Sequence, residues 1–157
     1  AVPCAGSALR AIMIEVTVTT EIEVPDSVAF GYLADVTNNP EWQHGVQSTR
    51  WTSSPPGDVG ATYDQMLDHR NQVVSYRITA VDPGRSISVE STGRATIPTR
   101  VTRSVEPLGE DSCIVSVTIV GNPRGLRRLA RRAITKAVRR ATEVDYTVLK
   151  RKLEGAD

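Results

Sequence analysis

Three features of the sequence predict an α+β domain, a curved seven-stranded antiparallel sheet with two short helices and one long C-terminal helix across its concave face. Near the start, Ile14, Val16, Val18, Ile22 and Val24 alternate with polar residues, the period of a half-buried strand. Six further short strand-like runs follow, each closed by turn chemistry. At the end, Leu126, Leu129, Ala133, Ala137, Ala141, Val144 and Val148 recur at steps of three and four, which is one helical face.

The elements follow in order. Pro25-Asp26 ends the first strand and opens a short helix, because Pro suits the first helical turn and Asp there complements the helix dipole. That helix is predicted over Ser27 to Val36, with Val28, Tyr32 and Leu33 inward, and Asn38-Asn39-Pro40 breaks it. A further turn of helix is expected around Glu41-Trp42-Gln43. Strands are then predicted over Val46–Thr52, Ala61–His69, Val73–Val81, Ser86–Ser91, Ile97–Val105 and Cys113–Val120. Their breaks include Pro55-Pro56-Gly57, Asp82-Pro83-Gly84, Pro107-Leu108-Gly109 and Gly121-Asn122-Pro123. Brief turns between successive strands argue an antiparallel meander. A helix from Leu126 to Leu153 would reach roughly 42 Å at about 1.5 Å per residue, enough to cover such a sheet. Residues 1–12 have no clear period and read as an extension, disordered or added upstream, of a single domain spanning 13–155.

A chain of 157 residues suits one domain, with 39% hydrophobic and 24% charged residues, as in ordinary soluble proteins. Aromatics make up only 4%, so the core must come from Val, Ile, Leu and Ala. Cys4 and Cys113 fit no metal-ligand spacing and no disulfide framework, and a reducing cytoplasm is the expected compartment. No apolar run approaches the roughly 18 residues of a membrane span. The net charge of +1 hides an asymmetry. Eight of the 19 basic residues lie between Gly121 and Thr142, where there is no acid; the remaining 11 stand against all 18 acids.

Five short segments in register carry a resemblance: Ile22-Glu23-Val24-Pro25-Asp26-Ser27-Val28; Tyr32-Leu33-Ala34-Asp35-Val36 with Asn39-Pro40-Glu41-Trp42; Val59-Gly60-Ala61-Thr62-Tyr63; Ile78-Thr79-Ala80-Val81-Asp82-Pro83-Gly84-Arg85; and Leu149-Lys150-Arg151-Lys152-Leu153-Glu154. Together they resemble the START-like helix-grip superfamily, and within it the bacterial polyketide cyclase/dehydrase and lipid-transport family. Ala61 stands where that pattern has Thr. The resemblance implies a helix-grip fold and a small hydrophobic ligand such as a lipid, a quinone or a polyketide-like aromatic. It implies no cofactor.

A helix lined by Ala130, Ala133, Ala137 and Ala141 over a curved sheet leaves a gap, unless large sheet residues fill it. Such a cavity would measure on the order of 300–1,000 Å³. Strand parity assigns the wall. Tyr63, Gln65, Leu67 and His69 share one face with Ala61; Tyr76 and Ile78 share the next strand's face; Val89 pairs with Ile87, and Val101 and Arg103 with Val105. Leu129, Ala133 and Ala137 of the helix would roof the ligand, with Trp42 at its entrance or as an anchor for the short helices. Arg103 is either an anion partner in the pocket or the mark of an inverted face.

No catalytic motif stands out. His69 would need an orienting partner to act as a base, and Asp68, its strand neighbour, points the other way. Ligand binding is therefore the expected function. A cyclase or dehydratase using Tyr63, His69 or Tyr76 is one alternative. A lipid-transfer protein touching anionic membrane through Arg128, Arg132, Lys136 and Arg139 is the other. An ordinary solvated helix face is the favoured account of those charges. Without base-stacking aromatics, nucleic acid is not an expected partner.

Overall fold

The computed structural model describes residues 13–155 apart from 55, 94 and 96. The expectations for residues 1–12, Cys4 included, lie outside it.

The strands are β1 (Ile14–Ile22), β2 (Val46–Trp51), β3 (Thr62–Leu67), β4 (Gln72–Asp82), β5 (Ser86–Thr92), β6 (Thr99–Pro107) and β7 (Cys113–Gly121). They form one antiparallel sheet in the order β1-β7-β6-β5-β4-β3-β2. Helix α1 (Asp26–Ala34) and a 3₁₀ turn (Val36–Glu41) link β1 to β2. A second 3₁₀ turn (Gly125–Arg128) leads into α2 (Arg131–Leu153). The expected fold class holds, and most strand limits fall within two residues of their sequence signals.

Pleat alternation separates the two faces of the sheet. Val16, Val18, Val115, Val117 and Val105 point inward and are buried. On the outer face Thr17 meets Thr118, Thr19 meets Ser116, and Ser88 meets Thr102, each pair at hydrogen-bond distance. Curvature comes partly from a bulge in β4: Ile78 faces Val89 and Ala80 faces Ser88, so Thr79 is the extra residue. The slip reverses parity. Tyr76 and Ile78 point inward before it, and Val81 packs on the same core after it. The β4–β5 turn depends on Gly84, whose φ of +76° is open to glycine at little cost, while Arg85 N–H closes the turn on Asp82 O at 2.9 Å.

Helix α2 has 23 residues, about 35 Å, and is shorter than expected. Gly125, at φ +61°, and the 3₁₀ turn delay its start to Arg131. Its inward face also differs from the expected one. Leu126 and Leu129 are 85% and 86% exposed, and Ala130, Ala133, Ala137, Ala141 and Val144 also face outward. The buried stripe is Thr142, Tyr146 and Leu149, flanked by Ile134, Val138 and Leu153. Both stripes have helical spacing. The larger side chains win because each covers more apolar surface than an alanine. In α1 Leu33 and Ala29 are the buried residues, while Val28, expected inward, is half exposed.

Two cores result. One joins Val16, Val18, Ile22, Val115 and Val117 to Leu33, Trp42, Tyr146 and Leu149. The other holds Val36, Ala61, Tyr63, Ile78, Ile87 and Val89. Val101 packs against both. The backbone of α2 runs close along β1. Two of its cations reach the free edge of that strand: Arg139 Nη1 donates to Thr17 O at 3.1 Å and Lys150 Nζ to Glu21 O at 2.7 Å. Covering an edge in this way removes a template for strand addition.

The two faces of α2 separate cleanly by mutation. Leu149→Ala should lower the unfolding free energy by about 2–5 kcal/mol. Leu129→Ala should change it by no more than about 0.5 kcal/mol. Urea denaturation of both variants checks the assignment, and equal losses would contradict it.

Candidate ligand-binding site

Between α2 and the concave wall, where the two cores meet, lies a cavity of about 110 Å³. β3 to β7 supply its floor, Thr142, Asp145 and Tyr146 of α2 its roof, and Trp42 and Gln43 one side. The volume is well below the expected range, because Tyr63, Tyr76, Tyr146 and Trp42 occupy much of the gap. Few aromatics are present in the chain, but they are concentrated here.

Arg103 is the central group. It is only 8% exposed and sits between Val117 on β7 and Ile87 on β5. Its guanidinium carbon lies 5.2 Å from the centroid of the Trp42 ring. A cation over an indole face gains about 0.5–1 kcal/mol when exposed and about 2 or more when desolvated. Arg103 makes no ion pair among the described residues, and its Nε has no hydrogen-bond partner there. Arg103 lines the cavity from the inner face of β6.

The aromatic cage around it is built by neighbouring strands and by packing. Tyr63 and Tyr76, opposite each other on β3 and β4, stack at 5.3 Å with an interplanar angle of 17°. Trp51 meets Tyr63 edge-on at 5.7 Å, and Tyr146 meets Trp42 edge-on at 5.2 Å. Trp42 is 3% exposed, so it serves as both anchor and pocket wall. Its Nε1 has no hydrogen-bond partner among the described residues, while the Tyr146 hydroxyl lies close to the Arg103 side chain. Gln65 is held in place: Asn39 Nδ2 donates to its Oε1 at 3.2 Å, and its own Nε2 donates to Gln43 Oε1 at 3.4 Å.

Burial raises the phenol pKa of Tyr63, Tyr76 and Tyr146, with the Arg103 charge opposing in each case. Burial also pushes the Asp145 carboxyl upward. The His44 backbone N–H, which donates to Asp145 Oδ1 at 2.8 Å, works against that shift, as does the charge of Arg103. Half-buried Gln43 and Asp145 form the rim.

Of the expected site residues, Trp42, Tyr63, Gln65, Tyr76, Val89, Val101 and Arg103 line this cavity. Ile78 belongs to the second core and half-buried Leu67 ends β3, and neither lines the cavity. His69 is exposed in a 3₁₀ turn (His69–Asn71) beyond the end of β3, so it cannot reach the interior as a base. Leu129, Ala133 and Ala137 face away from the pocket. The residues the expectation omitted are Gln43, Val117, Ile119, Thr142, Asp145 and Tyr146. Parity along β7 points to Val117 and Ile119. The row Ile134, Val138, Thr142, Tyr146, Leu149, Leu153 was available as an alternative face of α2.

A long helix held by a curved sheet above a part-polar hollow defines a helix-grip protein. The chain belongs to the polyketide cyclase / dehydrase and lipid transport family, whose model matches residues 13–154. No curated protein matches it. Among solved structures it is similar to the Zhui aromatase/cyclase from Streptomyces sp. R1128, with 16% identity over 90% of this chain and 94% of that one and a TM-score of 0.76. It is also similar to the di-domain ARO/CYC StfQ from the steffimycin biosynthetic pathway, with 12% identity over 92% of this chain and 52% of that one and a TM-score of 0.73. The protein XoxI from Bacillus cereus matches with 11% identity over 88% and 94% and a TM-score of 0.72. At these identities the likeness shows the fold.

All four tyrosines, Tyr32 included, have raised pKa values. Below the ordinary phenol value near 10 they are neutral in folded and unfolded chains alike. Above it the unfolded chain ionises first, so stability should fall as pH rises past about 10. Phenolate absorbance should stay low until the protein unfolds; full phenolate signal in a folded protein at that pH would contradict the burial.

Proposed function

We propose that this protein binds a small, largely apolar molecule that carries an anionic or carbonyl oxygen, and that the oxygen pairs with Arg103. The observation that carries this reading is the buried guanidinium, stacked on Trp42 and without an ion pair among the described residues. A buried unpaired cation is costly, and a ligand oxygen that fills its open valences offsets that cost. The remaining lining is apolar or phenolic and suits an aromatic or quinone ring. At about 110 Å³ the cavity is smaller than the roughly 150 Å³ that holds benzene, so a single ring seats its polar end at Arg103 and leaves its far edge at the Gln43–Asp145 rim. A larger lipid or polyketide-like aromatic would seat one ring or headgroup here and extend past the Gln43–Asp145 rim. Membership in a family described by both cyclisation and lipid transport supports this ligand class.

Benzoate and benzyl alcohol share one ring and differ in charge. Calorimetry should show benzoate binding about 10- to 100-fold more tightly, as a charge-assisted hydrogen bond worth about 1.5–3 kcal/mol implies. Arg103→Met should erase the preference while leaving benzyl alcohol little changed. Equal affinity of the wild type for both compounds would remove the role given to Arg103.

A catalytic reading is favoured by one observation. Asp145, with its raised carboxyl, and three phenols converge on the same cavity as Arg103. In a cyclase or dehydratase reaction Arg103 would hold a developing enolate oxygen while Asp145 or a phenol moved the proton. Replacing Tyr63 and Tyr76 with Phe distinguishes the two roles. Turnover of an added poly-β-keto thioester should vanish if the phenols are catalytic, and benzoate affinity alone should shift if they are not.

A further inference from the structure

The outward face of α2 and the turn before it combine two features that solvent exposure alone does not require. Leu126 and Leu129 are among the most exposed large apolar side chains of the described residues, and Ala133 and Ala137 continue their row along the helix. Directly beside that row, Arg132, Lys136 and Arg140 recur at steps of four, all exposed. Arg124 and Arg127 lie in the preceding turn with the leucines. None of these five cations forms an ion pair among the described residues, and no acid occurs between Gly121 and Thr142.

We propose that this face docks the protein on an anionic phospholipid bilayer, with Leu126 and Leu129 entering the headgroup–acyl boundary and the flanking basic side chains on lipid phosphates. Charge complementarity selects an anionic partner. The composition selects a lipid surface over a protein. Protein interfaces concentrate aromatic residues as well as arginine at their centre and deplete alanine, whereas this patch sets its arginines among leucine and alanine with no aromatic ring. A helix with a basic row beside an apolar row matches the interfacial pattern, in which long basic side chains lie along apolar surface and keep their charge in the headgroups. Opposite faces of one helix thus meet different surroundings: Thr142 and Tyr146 roof the internal cavity, and Ala133 and Ala137 face the bilayer.

The test is co-sedimentation of the full chain with vesicles of phosphatidylglycerol and phosphatidylcholine, against vesicles of phosphatidylcholine alone, at about 50 and about 500 mM salt. The wild type should partition at least about tenfold more onto the anionic vesicles, and the excess should fall at high salt. Combining Arg124→Gln, Arg127→Gln, Arg132→Gln and Lys136→Gln should cost at least about tenfold at low salt. Leu126→Ser with Leu129→Ser should cost about tenfold at either salt. The replaced side chains are exposed, so all variants should keep the wild-type melting temperature; should the leucine pair melt early, Leu129→Ser alone takes its place. Equal partitioning onto both vesicle types overturns the proposal, as does anionic-vesicle binding that either set of substitutions leaves intact. Retention on immobilised polyglutamate without vesicle binding assigns the patch to an acidic protein and equally overturns it.

Discussion

The seating of α2 on one side of the sheet is the constraint from which the rest follows. Leu149 and Tyr146 pack into the core shared by β1 and β7, and Arg139 and Lys150 tie the helix to the exposed carbonyls of β1. That attachment removes a sheet edge and closes the first core. It also leaves β3 to β5 without a helix directly upon them, α1 lying against β6 and β7. Their inner surface must be covered by side chains reaching across a wider space, and that space holds the cavity. A helix centred over the sheet would have closed the gap with aliphatic contacts and left no place for Arg103.

The cavity is therefore an electrostatic feature as much as a hydrophobic one. The dispersed valines of the wall give shape, but one buried guanidinium sets the chemistry. It is balanced in the protein by an indole face and by nearby phenol dipoles. Those partners are weaker than a carboxylate at hydrogen-bond distance. The only carboxylate in the lining among the described residues, Asp145, accepts a backbone hydrogen bond from His44 at the rim. Such a site discriminates by charge and by the placement of an oxygen, while its small volume restricts what can enter without movement of the helix or of the segment around Trp42.

The same helix explains the uneven charge of the chain. Its basic residues could not lie on the face that meets the cores, because unpaired cations there would be desolvated. Most of them lie on the outer side with the alanines, and Arg139 and Lys150 reach only the edge carbonyls of β1. This arrangement is what separates a ligand-facing surface from a charged one on a single element.

Much of this was legible in the linear sequence. The pleat period of β1, the turn signals between strands, and the parity of β3 to β6 determined the meander and the inward direction of Tyr63, Gln65, Tyr76, Val89, Val101 and Arg103. These are local properties: alternation has a period of two, and a paired strand preserves it wherever no bulge intervenes. The tertiary structure alone decided the face of α2, the fate of His69 and the size of the cavity. Two helical stripes were compatible with the same periodicity, and only docking chose the bulkier one, with Tyr146 and Leu149, over the alanines. His69 lay on the inward parity, yet the strand ended before reaching it. The volume depended on four aromatic rings from distant parts of the chain meeting at Arg103, a convergence that spacing along the chain does not encode.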